Sequence, residues 1–153
     1  MANDLFNQAA TPKIRGNTFN LSHKIRTSFK IGELIPGRPI DCLPGDRFTI
    51  GAENMVRFAP LIAPVMHRVD IYTHYFFVPY RILWDGFEDF ITEAEGATAA
   101  PYIQINDAQQ FSPGSVPVYM GVPPALTAAA SEVRISPFFL AAYLKIYDEY
   151  YRD

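Results

Sequence analysis

Residues 18–31, TFNLSHKIRTSFKI, alternate between apolar and polar side chains almost without fault. Phe19, Leu21, Ile25, Phe29 and Ile31 fall on one parity, with His23 and Thr27 among them. Asn20, Ser22, Lys24, Arg26, Ser28 and Lys30 fall on the other. Successive side chains of a strand point to opposite faces, so the spacing predicts a long half-buried strand with a basic outer face. Residues 47–58 repeat the pattern, with Phe48, Ile50, Val56 and Phe58 on one parity and Gly51 as a candidate bulge. A third strand is predicted over 65–78. Val65, His67, Val69, Ile71, Thr73, Tyr75 and Phe77 lie on one side of it, and Met66, Arg68, Asp70, Tyr72, His74, Phe76 and Val78 on the other. From Tyr75 onward both sides are apolar, which predicts cover on both faces.

The period then changes. Leu83, Phe87, Phe90 and Ile91 recur at helical spacing with Trp84 beside them, so 81–92 reads as one short amphipathic helix, weakened at Gly86. Residues 93–101 read as a surface loop, and 102–132 hold no steady period. Ser136 and Pro137 mark a helix start, and Leu140, Tyr143, Leu144, Tyr147, Tyr150 and Tyr151 line an apolar face to the end of the chain. Pro36-Gly37 and Pro44-Gly45 both suit type II turns. The resulting division is an extended arm at 1–17, strands and a short helix at 18–92, and a loop region ending in a helix at 93–153. No internal repeat is evident. Three strands cannot cover the faces they present, so either other chains supply the cover or the sequence is a fragment.

Composition sharpens this picture. The chain is 49% apolar, which excludes a disordered tail, yet only 19% charged, which leaves much surface to be covered by something other than water. Twelve Phe, nine Tyr, one Trp, thirteen Pro and nine Gly favour short strands and turns over a helical bundle. The net charge is −3, but residues 1–30 hold Lys13, Arg15, Lys24, Arg26 and Lys30 against Asp4 alone. That asymmetry marks either a basic arm or a solvated strand face. The segment MANDLFNQAA lacks a basic n-region and a long apolar run and does not read as a secretory signal. The uncharged run 108–131 is broken by Pro and Gly too often to span a lipid bilayer as a helix, so no membrane is expected.

Candidate chemistry is sparse. GxxxxGK[ST], GxGxxG and GxSxG are absent, and one Cys with three His does not supply a zinc signature, so no cofactor or metal is expected. His67 and His74 would point to opposite strand faces, and His67, like His23, reads as a hydrogen-bonded core or interface histidine. Asp85, Glu88, Asp89 and Glu93 form the best carboxylate cluster, but a solvated helix face explains them. Cys42 lies between the two Pro-Gly pairs without a nucleophile signature. The chain therefore reads as not an enzyme. Lys24, Arg26 and Lys30 share a strand face with no aromatic among them, a charge platform suited to weak, sequence-independent contact with phosphates.

Longer strings carry a resemblance. FNLSHKIRTSFKIGELIPG at 19–37, LPGDRF at 43–48, APLIAPVMHRV at 59–69, YTHYFFVPYRILW at 72–84, FEDFIT at 87–92 and YLKIYDEYYRD at 143–153 occur in this order. Together they resemble the major capsid proteins of the Microviridae, small single-stranded DNA phages, especially the gokushovirus-like branch. The resemblance covers 18–92 and 133–153, and 93–132 only loosely. It implies a mainly β fold, the viral jelly roll, an antiparallel β-sandwich with helical insertions, incomplete in this chain. It also implies a structural subunit of a T=1 icosahedral shell of sixty copies around circular single-stranded DNA, located in the virion and assembled in the host bacterial cytoplasm. The family chain continues well past residue 153, so this sequence looks like an N-terminal portion.

On that reading the partners are other copies of the chain, other virion proteins and, weakly and non-specifically, the packaged DNA. Lys13, Arg15, Lys24, Arg26 and Lys30 are the candidate DNA or inner-surface contacts. Tyr72, Phe76, Trp84, Tyr147, Tyr150 and Tyr151 are the candidate subunit-interface or core aromatics. The alternative is a small module that binds single-stranded nucleic acid through the basic N-terminal strip.

Overall fold

A computed structural model describes residues 16–63, 65–104, 111–124 and 133–152. In chain order its elements are α1 (Tyr80–Leu83), α2 (Phe87–Ile91), β1 (Ile103–Gln104), α3 (Val116–Tyr119), β2 (Arg134–Ile135) and α4 (Phe138–Tyr150). β1 and β2 pair antiparallel, with Ile103 opposite Ile135 and Gln104 opposite Arg134. They form the sheet found among the described residues.

The expectation of a mainly β jelly roll is therefore corrected. Residues 18–31, 47–58 and 65–78 carry no strand pairing, and the regular structure is mostly helical. Alternation records which side of a backbone is apolar, but a strand also needs a second backbone to bond, and no described segment offers one to these three. The predicted burial fails with the pairing. Phe19, Leu21, Ile25, Phe29 and Ile31 are all exposed, and so are Tyr75 and Phe77.

Local turn chemistry fared better in one place than the other. Leu43, Pro44, Gly45 and Asp46 form a turn, with Gly45 at φ 91° and the Asp46 N–H donating to the Leu43 carbonyl at 3.1 Å. The Asp46 carboxylate returns to accept the Leu43 N–H at 3.0 Å. The same device recurs at 30–33, with Gly32 at φ 85°, Glu33 N–H to Lys30 carbonyl at 3.3 Å, and Lys30 N–H to the Glu33 carboxylate at 2.9 Å. Glycine takes these positive φ values without steric cost. Pro36-Gly37 makes no turn; Pro36 is instead buried, and the carbonyl of Leu34 accepts the Tyr143 hydroxyl at 3.4 Å. Anchorage to α4 overrides the local turn preference there.

The helix expected over 81–92 is two helices. The chain leaves α1 at Trp84, which is extended at φ −150° and ψ 115°, and re-enters helix after Gly86. The Trp84 ring lies over Gly86, where an added Cβ would stand 2.9 Å from Trp84 Cε2. Gly86 is thus the place where the ring crosses the backbone, and it precedes a helix instead of weakening one. α4 begins one residue later than expected: Pro137, not Ser136, is the cap residue, its carbonyl accepting the Ala141 N–H at 2.9 Å, while Ser136 Oγ lies 3.5 Å from the Phe138 N–H as a local contact. Lys145 pairs with Glu149 on the helix, and Asp148 with Arg152 just past its end, at 2.8 and 2.6 Å.

Two aromatic clusters join these pieces. Phe138 at the start of α4 meets Tyr80 at 4.7 Å and Trp84 at 6.1 Å between ring centroids. Phe87 closes on Tyr80 and Phe90 on Trp84, at 5.5 and 5.7 Å. At the other end of α4, Phe76 lies 5.0 Å from Tyr150, and His74 stacks on Tyr151 with 13° between the planes. The core is otherwise thin. Phe111, 5% exposed, is the buried large hydrophobic among the described residues. The accessible surface of the chain is 14298 Å², against roughly 7,800 Å² for a compact protein of this mass.

Candidate functional site

Nine tyrosines could have been generic apolar bulk, but three of them do a specific job. The segment 28–41 is held by one hydroxyl from each of three helices. Tyr119 on α3 donates to the Ser28 carbonyl at 3.2 Å, and Tyr143 on α4 to the Leu34 carbonyl at 3.4 Å. Tyr80 on α1 donates to Asp41 Oδ1 at 2.5 Å. A tyrosine brings apolar area and one donor to the same spot, so each pin both packs and satisfies a polar group. Sequence reasoning missed Tyr80 and Tyr119 in this role and took Tyr143 only as part of a helix stripe. No local signal could have found them, because the partners lie 39, 91 and 109 residues away.

Burial and then the acceptor bond to Asp41 push the Tyr80 hydroxyl up to about 12, from the usual 10. The neutral phenol is the form that holds Asp41. A raised folded value means that this contribution is whole below pH 10, the value for an unconstrained tyrosine, and is lost as pH climbs through 12. Titrating phenolate absorbance and subtracting the profile of Tyr80→Phe should leave a step centred well above pH 10. A difference step at the ordinary tyrosine value would refute the pin.

The aromatic residues expected at an interface or core are only partly gathered. Phe76, Tyr150 and Tyr151 meet, with the Tyr151 hydroxyl hydrogen-bonded to His74 Nδ1. Trp84 joins the other cluster through Phe138, and Tyr147 lines an open groove between α1 and α4. Tyr72 belongs to neither and is 78% exposed. The surface as a whole is apolar to an unusual degree: Ile31, Leu43, Ile50, Met55, Ile62, Met66 and Phe77 all stand in solvent.

Lys24, Arg26 and Lys30 are exposed and form no ion pair with a described residue. Lys13 and Arg15 lie outside the described residues. Because the strand is not formed, Phe19 and Phe29 are exposed beside this strip instead of facing a core. His67 is exposed, so it is not a core histidine. The His23 ring bonds only its near neighbour, the Leu21 carbonyl, at 3.0 Å. Cys42 is exposed, with its thiol 3.5 Å from the Ile40 carbonyl. Among the described residues no group of His, Cys, Asp and Glu is placed to hold a metal ion, and no helix is long and apolar enough to cross a membrane.

Comparison with known proteins returns capsid proteins. The family model described as "Capsid protein (F protein)" matches residues 7–153. Capsid protein VP1 of Chlamydia phage 1 is 32% identical over 97% of this chain and 26% of its own length. Capsid protein VP1 of Bdellovibrio phage phiMH2K is 30% identical over 88% of this chain and 25% of its own length. That of Spiroplasma virus 4 is 26% identical over 88% and 24%. The chain thus spans about a quarter of the length of these relatives. No solved structure matches it.

Proposed function

Because the chain belongs to the capsid protein (F protein) family, we propose that it is part of a structural, non-enzymatic subunit of a phage shell. Its work is to bury apolar surface against other copies and against further chain of the kind its relatives possess. The observation that carries this reading is the accessible surface of 14298 Å², nearly twice that of a compact protein of this mass. The apolar part of that surface gains free energy when it is taken out of water, as it would be against neighbouring protein. The shell would be a T=1 icosahedron enclosing the genome, built in the bacterial cytoplasm and shared with other virion proteins. The protein carrying this chain should appear in electron micrographs as closed particles of uniform diameter. A folded protein that stays monomeric would overturn the reading.

The basic strip supplies the inward-facing part of the proposal. Lys24, Arg26 and Lys30, with Lys13 and Arg15 before them, would neutralise phosphates of packaged single-stranded DNA without reading its sequence. Exposed Phe19 and Phe29 stand in the same stretch, where bases could stack, and this favours single strands over duplex. Changing Lys24, Arg26 and Lys30 together to Gln should reduce the slope of log affinity against log salt by about 2, since each neutralised phosphate on a single strand contributes about 0.7. An unchanged slope would remove these residues from the DNA contact.

A further inference from the structure

Residues 16–46 hold Lys24, Arg26, Lys30 and Arg38 against Glu33, Asp41 and Asp46. Each of the three carboxylates is engaged by a neutral donor: Glu33 by the Lys30 N–H at 2.9 Å, Asp41 by the Tyr80 hydroxyl at 2.5 Å and Asp46 by the Leu43 N–H at 3.0 Å. None of the four cations pairs with a carboxylate of a described residue. Lys145 and Arg152, by contrast, are matched by Glu149 and Asp148. A carboxylate turned to a neutral donor still carries its charge, but it leaves the N–H donors of the cations open. All four side chains are exposed, so those donors face outward. A run of open cations attracts a polyanion and offers charge-assisted hydrogen bonds to phosphate oxygens.

The same stretch is fixed through its backbone, and the fixed points alternate with the cations. Tyr119 holds the Ser28 carbonyl, between Arg26 and Lys30, and Tyr143 holds the Leu34 carbonyl, between Lys30 and Arg38. Tyr80 holds Asp41 just beyond, and Pro36, two residues before Arg38, is buried. The pins take backbone carbonyls and one carboxylate, so they leave the cationic side chains outside. A ligand that meets a row already ordered loses less free energy to ordering than one that must order it.

We propose that segment 24–38 is a preordered track for the sugar-phosphate backbone of single-stranded DNA, with Arg38 as a fourth phosphate contact beyond Lys24, Arg26 and Lys30, and with Tyr119 and Tyr143 as positioning residues. This rests on the DNA contact proposed above and extends it along the chain. Arg38 suits the role because a planar guanidinium can give two parallel hydrogen bonds to one phosphate.

The test measures binding of an unstructured oligothymidylate against salt, on the protein carrying this chain. Arg38→Gln should lower the slope of log affinity against log salt by about 0.7, the share of one phosphate on a single strand. Arg152→Gln removes an exposed cation that Asp148 already matches, and should leave the slope unchanged. Tyr143→Phe keeps the ring and loses only the hydroxyl. It should weaken binding about threefold at an unchanged slope, because order is lost and charge is not. If the slope falls for the triple Gln variant of Lys24, Arg26 and Lys30 but not for Arg38→Gln, the strip stands and the track is overturned. Equal losses for Arg38→Gln and Arg152→Gln would show bulk charge at work and overturn it too. Unchanged affinity in Tyr143→Phe would overturn the positioning role. An unchanged slope in both the triple variant and Arg38→Gln would overturn the DNA contact itself.

Discussion

Dissolved alone, the 153-residue chain is expected to sediment as a spread of large species and not as a 17.2 kDa monomer. The reason is area. The chain exposes 14298 Å², which exceeds the compact expectation by roughly 6,500 Å². A standard protein interface takes only about 800 Å² from each partner. The excess is several interfaces' worth, and exposed Phe19, Ile31, Leu43, Met55, Ile62, Met66 and Phe77 make much of it apolar. Chains in this condition cover one another. Sedimentation velocity and dye binding to apolar surface would report it directly. A single 17.2 kDa boundary with a sharp, two-state melt would contradict the prediction.

The second large effect is expected from Phe138→Ala. The Phe138 ring is the common neighbour of Tyr80 and Trp84, so it joins α4 to α1 and, through Phe87 and Phe90, to α2. Removing an enclosed phenyl ring costs about 3–5 kcal/mol, and the half-buried position here lowers this to about 2 kcal/mol. In a structure with so thin a core, that loss should free the α1–α2 pair. Trp84 is the only tryptophan, so its emission reports on the junction alone. The emission should shift to the red and become more accessible to acrylamide in Phe138→Ala. Met66→Ala, on a side chain 85% exposed, should leave both unchanged. Matching spectra for the two variants would show that the junction does not depend on this ring.

What the sequence made legible follows the range of the interactions. The start of α4 was readable because Ser136, Pro137 and the stripe from Leu140 act within a few residues of one another. The turn at 43–46 was readable for the same reason. Family membership was readable because strings such as YTHYFFVPYRILW carry many residues at once. The three strands were not, since apolar alternation at 18–31, 47–58 and 65–78 states a preference that only a partner backbone can fulfil. Gly86 was misread because the residue that needs it, Trp84, acts through its ring position and not through helical propensity. Of the site, the cluster of Phe76, Tyr150 and Tyr151 was anticipated in its members though not in its assembly, while Tyr80, Tyr119, Phe138 and His74 owe their roles to contacts between distant segments.

The three tyrosine pins also set a timetable. Synthesis runs from the N-terminus at about 5–20 residues per second, so about 5–20 s separate the appearance of Leu34 from that of Tyr143, its partner 109 residues later. Asp41 waits only 39 residues for Tyr80, and Ser28 waits 91 for Tyr119. The segment is thus fastened at its two ends before its middle, first at Asp41, then at Ser28, with Leu34 last. Tethering at Asp41 shortens every later closure, although chain entropy depends only gently on loop length. Until Tyr80 emerges, Phe29, Ile31 and Leu34 stand outside the ribosome with no pin in place on the segment, which makes this stretch a natural client for a chaperone that binds nascent apolar chain.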